Sequence, residues 1–538
     1  MSNVYAIADA YKGCHPFLMP QQDNPFLQSS EKIDYVFTGW TGRYYKYMAD
    51  CPETVIWGQQ ARIRQYMIDW WSDNFFGQDI AKLEAEHVRK VSVLFHPMYS
   101  GFEKFKQLHE LGYLPIEIWG LPEGTLCPAG VPDHWIRNTH PDFAWLPQYL
   151  EDLWSTNNWH PSTSATTAHD RRRIMQKWVD LTCDDESITK YLISDFSLRG
   201  LTEIFSAAYA STGGHLLSFA KTATIGVADF LEKYYNADIE KDLPKIGTPS
   251  LEHSITCQNI AVITKFLENG GEYKGISWAA YKDETDEDGN SVDIKLVAEL
   301  AFMKYLLTEL QPDGALSYVA DTNDYWGVLT WIIPKLKEDI LNRKGALILR
   351  PDSGVPERII CGYSKAATWY EKAGSLEVAA KIFGCTTNKK GYKVLPPQFR
   401  FIYADAITRE RNESIPKYCA AMGYSCDNVY FGIGSVSYQF TTRDARGYAI
   451  KATSCTTNMG DEIFLQKQPK TDTQKASQKG CFAAHYDERG NLTYTDGLTY
   501  DEAVCFPGNL YVPKLKDGKQ LNIEDFATIR NRLWGGKF

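Results

Sequence analysis

The stretch ALILRPDSG at residues 346–354 is the clearest indication of the fold class, because four apolar residues are followed directly by a charged end that contains proline and glycine. Three other stretches have the same form, an apolar run with a polar or glycine-rich end: ALSYVAD (315–321), FRFIYAD (399–405) and NVYFGIGS (428–435). Helical patterns such as DYWGVLTWIIPKLKEDILN (324–342) lie between them. This alternation of short strands and helices is typical of a parallel sheet.

The polar ends of the four predicted strands carry Asp321, Asp352, Asp405 and Gly434. In a β/α barrel the carboxyl ends of the strands meet on one face, and active sites form there. One Asp after a strand is commonplace, whereas three of them and a glycine-rich fourth end indicate a shared site. We therefore expect these four residues to lie close together.

The predicted fold class is α/β: an irregular β/α (TIM-like) barrel with an additional α+β domain built from the N- and C-terminal parts. We place the barrel at residues 161–435, an N-terminal α+β region at 1–160, and a C-terminal segment at 436–538 that packs back on the N-terminal region. In the first region, the apolar spacing predicts a helix over 55–75 and two short strands around a turn over 114–130.

Two further patterns concern breaks and loops. Residues 201–236 predict two helices separated by a break at the glycine pair 213–214. The acidic run DETDEDGNSVD at 283–293 predicts a solvated surface loop. It superficially resembles a calcium-binding loop, but Lys295 stands at the twelfth position, where such a loop needs a bidentate glutamate.

The composition of the 538 residues is that of a globular enzyme, with 44% hydrophobic and 23% charged residues. The 57 basic and 67 acidic residues give a net charge of −10, which argues against a general nucleic-acid binder. No window contains 18 consecutive apolar residues, so we expect no membrane span. An acidic surface does not exclude one small anionic ligand in a local basic pocket.

The twelve cysteines are scattered singly from Cys14 to Cys505, without a CxxC pair or a Cys/His cluster, so we expect no structural zinc site. The N-terminus MSNVYAIADAYKG lacks a basic segment followed by a long apolar core, so we expect no secretory signal. Free thiols without a targeting segment favour a reducing, cytoplasmic location.

The strand ends suggest a ligand that carries several hydroxyl and phosphate groups. Carboxylates at Asp321, Asp352 and Asp405 can accept hydrogen bonds from sugar hydroxyls or hold Mg²⁺ directly or through water. Gly432 and Gly434 in FGIGS allow backbone N–H groups to approach a phosphate, because neither residue has a Cβ. The chain has no Walker A motif, so a P-loop nucleotide site is not expected.

Basic residues gather on the C-terminal side of the last predicted strand. Arg443 and Lys451 come first, and the run KQPKTDTQKASQKG at 467–480 adds Lys467, Lys470, Lys475 and Lys479. This charge pattern is compatible both with a mobile, solvated loop and with a loop that grips phosphate.

Eight segments of the chain form a recognisable series, in this order: ISDFSLRG (193–200), LEHS (251–254), VADTNDYW (319–326), LILRPDSG (347–354), KGYKVLPP (390–397), FGIGS (431–435), TTRD (441–444) and KASQKG (475–480). Together they resemble nicotinamide phosphoribosyltransferases, and the similarity extends from residue 7 to about residue 480. RPDSG followed by KGYK and LPP is specific to that family. The resemblance implies a dimeric type II phosphoribosyltransferase of NAD salvage. It would transfer phosphoribose from phosphoribosyl pyrophosphate to nicotinamide, giving nicotinamide mononucleotide and pyrophosphate.

By the same resemblance, the catalytic set is His253, Asp321, Arg350 and Asp352. Asp352 matches the carboxylate that binds ribose hydroxyls, and Asp321 matches an acidic position near the ribose, the pyrophosphate and Mg²⁺. Arg350 matches an arginine near the base and the phosphoribosyl group. His253 matches the histidine that is phosphorylated during ATP hydrolysis, through which ATP stimulates turnover. The resemblance assigns no metal ligands.

The resemblance also implies a substrate-binding set. The base lies between Phe196 and Tyr11, and Tyr11 comes from the partner subunit of a homodimer whose active sites are shared at the interface. The other members lie near the base, the ribose or the phosphates: Arg199, Asp405, Gly434, Ser435, Arg443, Lys451, Lys467 and Lys475.

The sequence departs from the family pattern near the base. Ala223 stands where better-known members carry an Asp that accepts a hydrogen bond from the amide of nicotinamide. Other departures are Ser194 for a histidine, Ala404 and Ser435 for glycines, and either Trp40 or Arg43 at the family's N-terminal arginine. Because Ala223 supplies no acceptor, nicotinate is the alternative substrate. Two other functions stay open: a non-catalytic ligand-binding homologue, and an unrelated barrel enzyme that acts on phosphosugars.

Overall fold

The computed structural model describes residues 3–22, 24–45, 51–204, 208–471 and 476–538. Two large sheets organise them, one parallel with six strands and one antiparallel with seven, and four two-stranded pairs complete the strands of these ranges. The mixed α/β architecture agrees with the predicted class. The described residues form a parallel half-barrel, and they do not form a complete eight-stranded barrel.

The strands in chain order are β1 Ile33–Gly42, β2 Glu53–Val55, β3 Ile116–Gly120, β4 Leu126–Pro128, β5 Pro132–Asn138, β6 Ile193–Asp195, β7 Lys221–Thr222, β8 Glu272–Tyr273, β9 Ile276–Ser277, β10 Leu316–Val319, β11 Leu347–Arg350, β12 Thr386–Thr387, β13 Lys393–Val394, β14 Phe399–Tyr403, β15 Val429–Ile433, β16 Tyr448–Thr457, β17 Glu462–Phe464, β18 Cys481–Tyr486, β19 Leu492–Leu498, β20 Val512–Lys516 and β21 Lys519–Gln520.

The α-helices are α1 Ala10–Gly13, α2 His15–Leu18, α3 Gln59–Arg62, α4 Ile80–Leu94, α5 Glu103–Leu111, α6 Leu146–Tyr149, α7 Glu151–Thr182, α8 Tyr209–Leu216, α9 Val227–Tyr235, α10 Ile239–Asp242, α11 His253–Glu268, α12 Trp278–Tyr281, α13 Ile294–Tyr305, α14 Tyr325–Gly327, α15 Ile333–Lys335, α16 Lys337–Leu341, α17 Pro356–Cys361, α18 Trp369–Phe383, α19 Arg409–Ala421, α20 Val436–Gln439, α21 Tyr500–Val504 and α22 Phe526–Trp534.

The parallel sheet contains the four strands predicted from the sequence. β10, β11, β14 and β15 are neighbours in this order, and β6 and β7 extend the sheet beyond β15. Leu347 of β11 pairs with Leu316 on one side and with Phe399 on the other, and all three side chains are buried. Continuous apolar runs are expected in parallel strands, because helices cover both faces of such sheets. Since the strands are parallel, their carboxyl ends lie at one edge.

Residues 246–251 connect the two outer strands of the parallel sheet without forming a strand of their own. The N–H of Thr222 in β7 donates to the carbonyl of Ile246 at 3.0 Å, and the N–H of Ser317 in β10 donates to the carbonyl of Pro249 at 2.9 Å. The N–H of Leu251 donates to the carbonyl of Ser317 at 2.9 Å. Both edges of the sheet therefore contact the same segment, which curves the sheet.

The antiparallel sheet combines strands from both ends of the chain, in the order β17-β16-β1-β5-β3-β20-β21. Its longest pairing joins β1 to β16, from Ile33 opposite Thr457 to Gly42 opposite Tyr448. Apolar side chains of this sheet pack against the surrounding helices in a second hydrophobic core. The two terminal parts of the chain are thus held together by backbone hydrogen bonds.

Helix α7 joins the two sheets and runs for 32 residues. The predicted boundary between residues 160 and 161 falls inside this helix, and the division into domains stays a prediction. None of the helices within the described ranges combines the length and the apolar character that crossing a membrane requires.

Helix α8 shows that the predicted break at Gly213 and Gly214 is wrong, because the helix runs through both residues. A Cβ on Gly214 would lie 3.0 Å from the backbone nitrogen of Ala165 in α7, and a Cβ on Gly213 would lie 2.8 Å from the ring of Trp57. The two glycines permit close packing of α8, and this packing overrides their low helix propensity.

Candidate active site

Four ionisable side chains, which we call the strand-end cluster, meet at the carboxyl edge of the parallel sheet: His253, Asp321, Arg350 and Asp352. Arg350 ends β11 and donates from Nε to Asp352 Oδ2 at 3.0 Å. Its Nη2 donates to the carbonyl of Leu251 at 2.8 Å, which ties β11 to the segment that leads into α11. His253 begins α11, and its Nε2 lies 3.6 Å from Asp321 Oδ1 and 3.9 Å from Asp352 Oδ2.

Each of the two carboxylates in the strand-end cluster has one buried oxygen that accepts no hydrogen bond from the described residues. Oδ1 of Asp321 and Oδ1 of Asp352 are buried and accept no hydrogen bond from any described residue. Burial raises the pKa of Asp352 and the nearby Asp321 raises it further, whereas Arg350 and His253 oppose the shift. Buried polar atoms normally have a hydrogen-bond partner, so these two oxygens are placed to meet a ligand hydroxyl, a water or a cation.

The imidazole of His253 is the accessible member of the strand-end cluster. Its side chain is 45% exposed, against 6% for the side chain of Asp321. Nδ1 lies 3.2 Å from Oγ1 of Thr322, which follows Asp321 in the chain. A ring nitrogen that is open to solvent beside carboxylates can act as a nucleophile or exchange a proton.

A cavity of about 400 Å³ lies beside the ends of β6 and β7, and we call it the base cavity. Phe196 forms one wall, and its N–H donates to the carbonyl of Ile433 at 2.9 Å, which fixes its position beside β15. The other lining residues are small or apolar and carry no charge: Ser194, Thr222, Ala223, Ile225, Ile246, Gly247, Thr248, Pro249 and Ser250. The base cavity therefore suits a flat, uncharged aromatic ring.

The ends of β14 and β15 place the predicted Asp405, Gly434 and Ser435 near the same edge. A Cβ on Gly434 would meet none of the described atoms within 4 Å, so its backbone borders open space, as an approaching phosphate requires. A Cβ on Gly432 would lie 2.7 Å from Ala404 and 2.9 Å from the ring of Phe196, so the backbone of Gly432 packs closely against these two side chains. Asp405 follows β14 and is exposed.

Ser435 and Arg199 lie close to each other at the ends of β15 and β6. A Cβ on Gly200, the neighbour of Arg199, would overlap the side chain of Ser435, which shows how closely the two turns pack. Arg199 is exposed in the short helical turn Leu198–Gly200. Its guanidinium can therefore reach a bound anion.

A second group of charges, which we call the basic cluster, surrounds Lys451 of β16 and comprises Lys12, Arg43, Lys451 and Lys467. Burial lowers the pKa of Lys451; Glu151 opposes this shift, and the other three members of the cluster add to it. Lys12 forms an ion pair with Glu151, and Arg43 Nε donates to the carbonyl of Gly447 at 2.8 Å. Such a concentration of positive charge attracts phosphate groups.

The structure places the remaining predicted residues as follows. Tyr11, in α1 beside Lys12, is 65% exposed, and Asp9 raises the pKa of its hydroxyl. Arg443 is exposed, and its Nη2 lies 3.3 Å from Asp444 Oδ1. Trp40 is buried in the core, whereas Arg43 belongs to the basic cluster. Lys475 lies outside the described residues.

The strand-end cluster lies at the parallel sheet, and the basic cluster surrounds Lys451 of the antiparallel sheet. Among the residues that the structure describes, no hydrogen bond or ion pair joins a member of one cluster to a member of the other. Tyr11 lies with the basic cluster and Phe196 with the base cavity. The two groups of predicted residues therefore belong to different sheets of the chain.

A buried glutamate that the sequence patterns did not predict lies behind the strand-end cluster. Glu299 in α13 is fully buried, and Tyr318 of β10 donates to its Oε1 at 2.9 Å. Burial raises the pKa of Glu299 to about 7; Asp324 and Asp321 add to this shift, and Tyr318 opposes it. The position of Glu299 inside the apolar run LVAELAFM (296–303) is the sequence feature that indicates a buried acidic residue.

Residues 191–498 match the nicotinate phosphoribosyltransferase (NAPRTase) family. A protein named nicotinamide phosphoribosyltransferase from Acinetobacter baylyi is 34% identical over 469 residues, which cover 84% of each chain. One of the same name from Mycoplasma pneumoniae is 30% identical over 64% of each chain. The crystal structure of human nicotinic acid phosphoribosyltransferase has the same fold, with a TM-score of 0.51 and 14% identity over 94% of this chain and 89% of that one.

Proposed function

This chain belongs to the nicotinate phosphoribosyltransferase family, and we propose that it transfers phosphoribose from phosphoribosyl pyrophosphate to nicotinamide. The products are nicotinamide mononucleotide and pyrophosphate. The observation that carries the proposal is the strand-end cluster, in which two carboxylates with unpartnered buried oxygens lie beside an arginine and a histidine. The names of the bacterial relatives support nicotinamide as the base.

The residues have distinct tasks in this reaction. Asp352 and Asp321 accept hydrogen bonds from the ribose hydroxyls through their unpartnered oxygens. Phe196 stacks on the pyridine ring in the base cavity, which orients the ring nitrogen toward C1 of the ribose. As pyrophosphate leaves, C1 gains positive charge, and the carboxylates stabilise this charge electrostatically. The ring nitrogen then forms the bond to C1.

Mg²⁺ fits the strand-end cluster. The unpartnered oxygens of Asp321 and Asp352 are hard donors, and Mg²⁺ in enzymes is commonly held by one or two carboxylates together with substrate phosphates and water. Within the described ranges, no three His, Cys, Asp or Glu side chains converge as a complete metal site. When bound with the substrate, the ion neutralises part of the pyrophosphate charge.

ATP stimulation is the second part of the proposal, and it rests on His253. The exposed Nε2 of this residue can accept a phosphoryl group, while Asp321 and Asp352 stay within 4 Å of it. A His253→Ala variant should lose ATP hydrolysis and ATP stimulation but retain slow, ATP-independent product formation. Measuring product with and without ATP tests this role, and unchanged stimulation in the variant would refute it.

The chain acts as a homodimer in this proposal, and each active site combines the strand-end cluster of one subunit with the basic cluster and Tyr11 of the other. The location of the two clusters on different sheets of one chain supports this arrangement. We further propose that the parallel half-barrel belongs to an irregular TIM-like barrel, because residues 246–251 contact both of its outer strands.

All twelve cysteines are free thiols and support a cytoplasmic location.

Nicotinate is the second candidate base, and one observation favours it. Ala223 lines the base cavity where a carboxylate would repel a charged acid, and no other lining residue carries negative charge.

The deciding experiment incubates the protein with phosphoribosyl pyrophosphate, Mg²⁺ and either nicotinamide or nicotinate, and measures the pyrophosphate released. We expect release with nicotinamide to exceed release with nicotinate. Release with neither base would refute the transferase function, and a preference for nicotinate would make this chain a nicotinate phosphoribosyltransferase.

A further inference from the structure

Two cysteines outside the strand-end cluster face each other between helices α17 and α19. Cys361 ends α17, Cys419 lies near the end of α19, and their sulfur atoms are 3.8 Å apart. Each helix follows a strand end that belongs to the candidate site, since α17 comes after Asp352 and α19 comes after Asp405. The pair therefore connects two helices whose preceding loops carry site residues.

A cavity of about 510 Å³ gives access to only one of the two thiols. Cys361 contributes to its lining and is half-buried, whereas Cys419 is buried behind it. An incoming reagent therefore meets Cys361 first. The hydrogen bond with Cys361 and burial both raise the pKa of Cys419, which further disfavours direct attack on a reagent by Cys419.

The charge of the cavity favours an anionic reagent. Arg358 lines the cavity and lies over the ring of Tyr363, 4.2 Å from its centroid. The carboxylate of Glu357, in the same lining, is already engaged by Arg411 Nε at 3.3 Å and Ser414 Oγ at 3.1 Å. The balance of accessible charge is therefore positive, and carboxylate groups of a ligand can pair with Arg358.

We propose that Cys361 and Cys419 form a thiol–disulfide exchange site for anionic, low-molecular-weight disulfides. The Cys361 thiolate attacks one sulfur of the reagent, which forms a mixed disulfide and releases one thiol. The Cys419 thiolate then attacks the sulfur of Cys361 and releases the second thiol. The two cysteines lose two protons and two electrons in total, and the reagent disulfide gains them as two thiols.

Closing this disulfide alters the candidate active site. The sulfur atoms must approach from 3.8 Å to about 2.05 Å, and we expect α17 and α19 to move toward each other as the bond forms. A displacement of about 1 Å in a site can reduce the rate by about a hundredfold. Resting on the proposed transferase function, this step predicts that the oxidised protein loses at least about nine-tenths of its activity and regains it after reduction.

The test treats the reduced full-length protein with oxidised glutathione and maps the cysteine peptides by mass spectrometry. We expect one cross-linked peptide pair that contains Cys361 and Cys419 and is lighter than the two reduced peptides by two hydrogen atoms. A Cys361→Ser variant should form no cross-link. A Cys419→Ser variant should stop at the mixed disulfide of Cys361 with glutathione.

The chain offers a matched control in Cys183 and Cys426. Their sulfur atoms are only 3.5 Å apart, but both residues are buried and neither lines the cavity. They should stay reduced under the same treatment, because access and not proximity decides the reaction. The cationic disulfide cystamine should react with Cys361 at least about threefold more slowly than oxidised glutathione, and Arg358→Gln should reduce this difference.

Three results would overturn the proposal: no Cys361–Cys419 cross-link in the wild type, equal oxidation of Cys183 and Cys426, or faster reaction with cystamine. The peptide map does not depend on transferase activity. If the reduced protein releases no pyrophosphate, the proposed transferase function is wrong. The cross-link then still tests the exchange site independently. If the cross-link forms and activity persists, the coupling of α17 and α19 to the site is wrong.

Discussion

Asp352 contacts Arg350 through one carboxylate oxygen and leaves the other oxygen buried without a described partner. We expect Asp352→Asn to reduce kcat/KM for phosphoribosyl pyrophosphate by about a hundredfold or more, because the amide loses the charge that stabilises the developing cation. The melting temperature should change little, since the free oxygen serves a ligand and not the core.

The control for Asp352 is Asp283→Asn, a change of the same chemistry in the exposed acidic loop. Steady-state kinetics and thermal unfolding of both variants separate a role in the site from a general effect of charge. An Asp352→Asn variant that folds and turns over like the wild type would remove this residue from the mechanism.

The single side chain at position 223 determines whether the base cavity carries a charge, and Ala223 leaves it uncharged. A carboxylate about 4 Å from a bound nicotinate costs roughly 4 kcal/mol at an effective dielectric near 20, before screening. Ala223→Asp should therefore lower kcat/KM for nicotinate more than for nicotinamide. The measurement is the ratio of the two kcat/KM values in wild type and variant; an unchanged ratio would show that residue 223 does not select the base.

At the scale of elements, helix α13 packs against β10 and brings Glu299 to the hydroxyl of Tyr318. Burial raises the pKa of Glu299 from 4.5 to about 7, so the folded chain keeps a proton that the unfolded chain releases between these values. Stability contributed by this group is therefore present below pH 4.5 and is lost as the pH rises toward 7, by up to about 3 kcal/mol.

Glu299→Gln tests this contact between α13 and β10, because glutamine keeps an acceptor for Tyr318 and never ionises. The variant should melt higher than the wild type at pH 8 and close to it at pH 5. Calorimetric melting temperatures at the two pH values check the expectation. A difference between variant and wild type that is the same at both pH values would mean that Glu299 does not titrate in this range.

At the scale of the whole molecule, the proposed sharing of each active site between two subunits predicts complementation between subunits. Tyr11→Ala and Asp352→Ala should each be inactive alone, because each removes one half of every site. Mixed dimers contain one site in which both halves are intact, so mixing the variants should restore up to about a quarter of wild-type activity with random exchange. The readout is pyrophosphate release after subunit exchange.

Sedimentation of the wild type provides the independent check on complementation. A dimer at the assay concentration is required, and a fully active monomer would contradict the shared site. Restored activity that appears only after exchange, and not immediately on mixing, would exclude a simple sum of residual activities.

The four strand ends could be predicted from sequence because parallel strands are local patterns: a short apolar run, a polar end and a helix before the next run. The position of Asp321, Arg350, Asp352 and Asp405 at one edge follows from that topology alone. The resemblance of eight segments added the chemistry, and the family comparison agrees with it.

Contacts between distant segments were decided by the tertiary structure. The sequence predicted a helix break at Gly213 and Gly214. In the structure α8 is continuous, because the absence of Cβ atoms at these residues allows close packing against Trp57 and Ala165. The pKa of Glu299 near 7 has a similar origin: the apolar run around Glu299 suggests burial, but the size of the shift also depends on Tyr318, Asp324 and Asp321, which are distant in the chain.

The local pattern of a sequence specifies where strands and helices form and which residues end them, since these follow from interactions a few residues apart. The tertiary structure alone determined that Lys12, Arg43, Lys451 and Lys467 gather in one place. The physical reason is that burial and electrostatic interaction depend on distance in space, and only the folded chain brings residues 12 and 451 together.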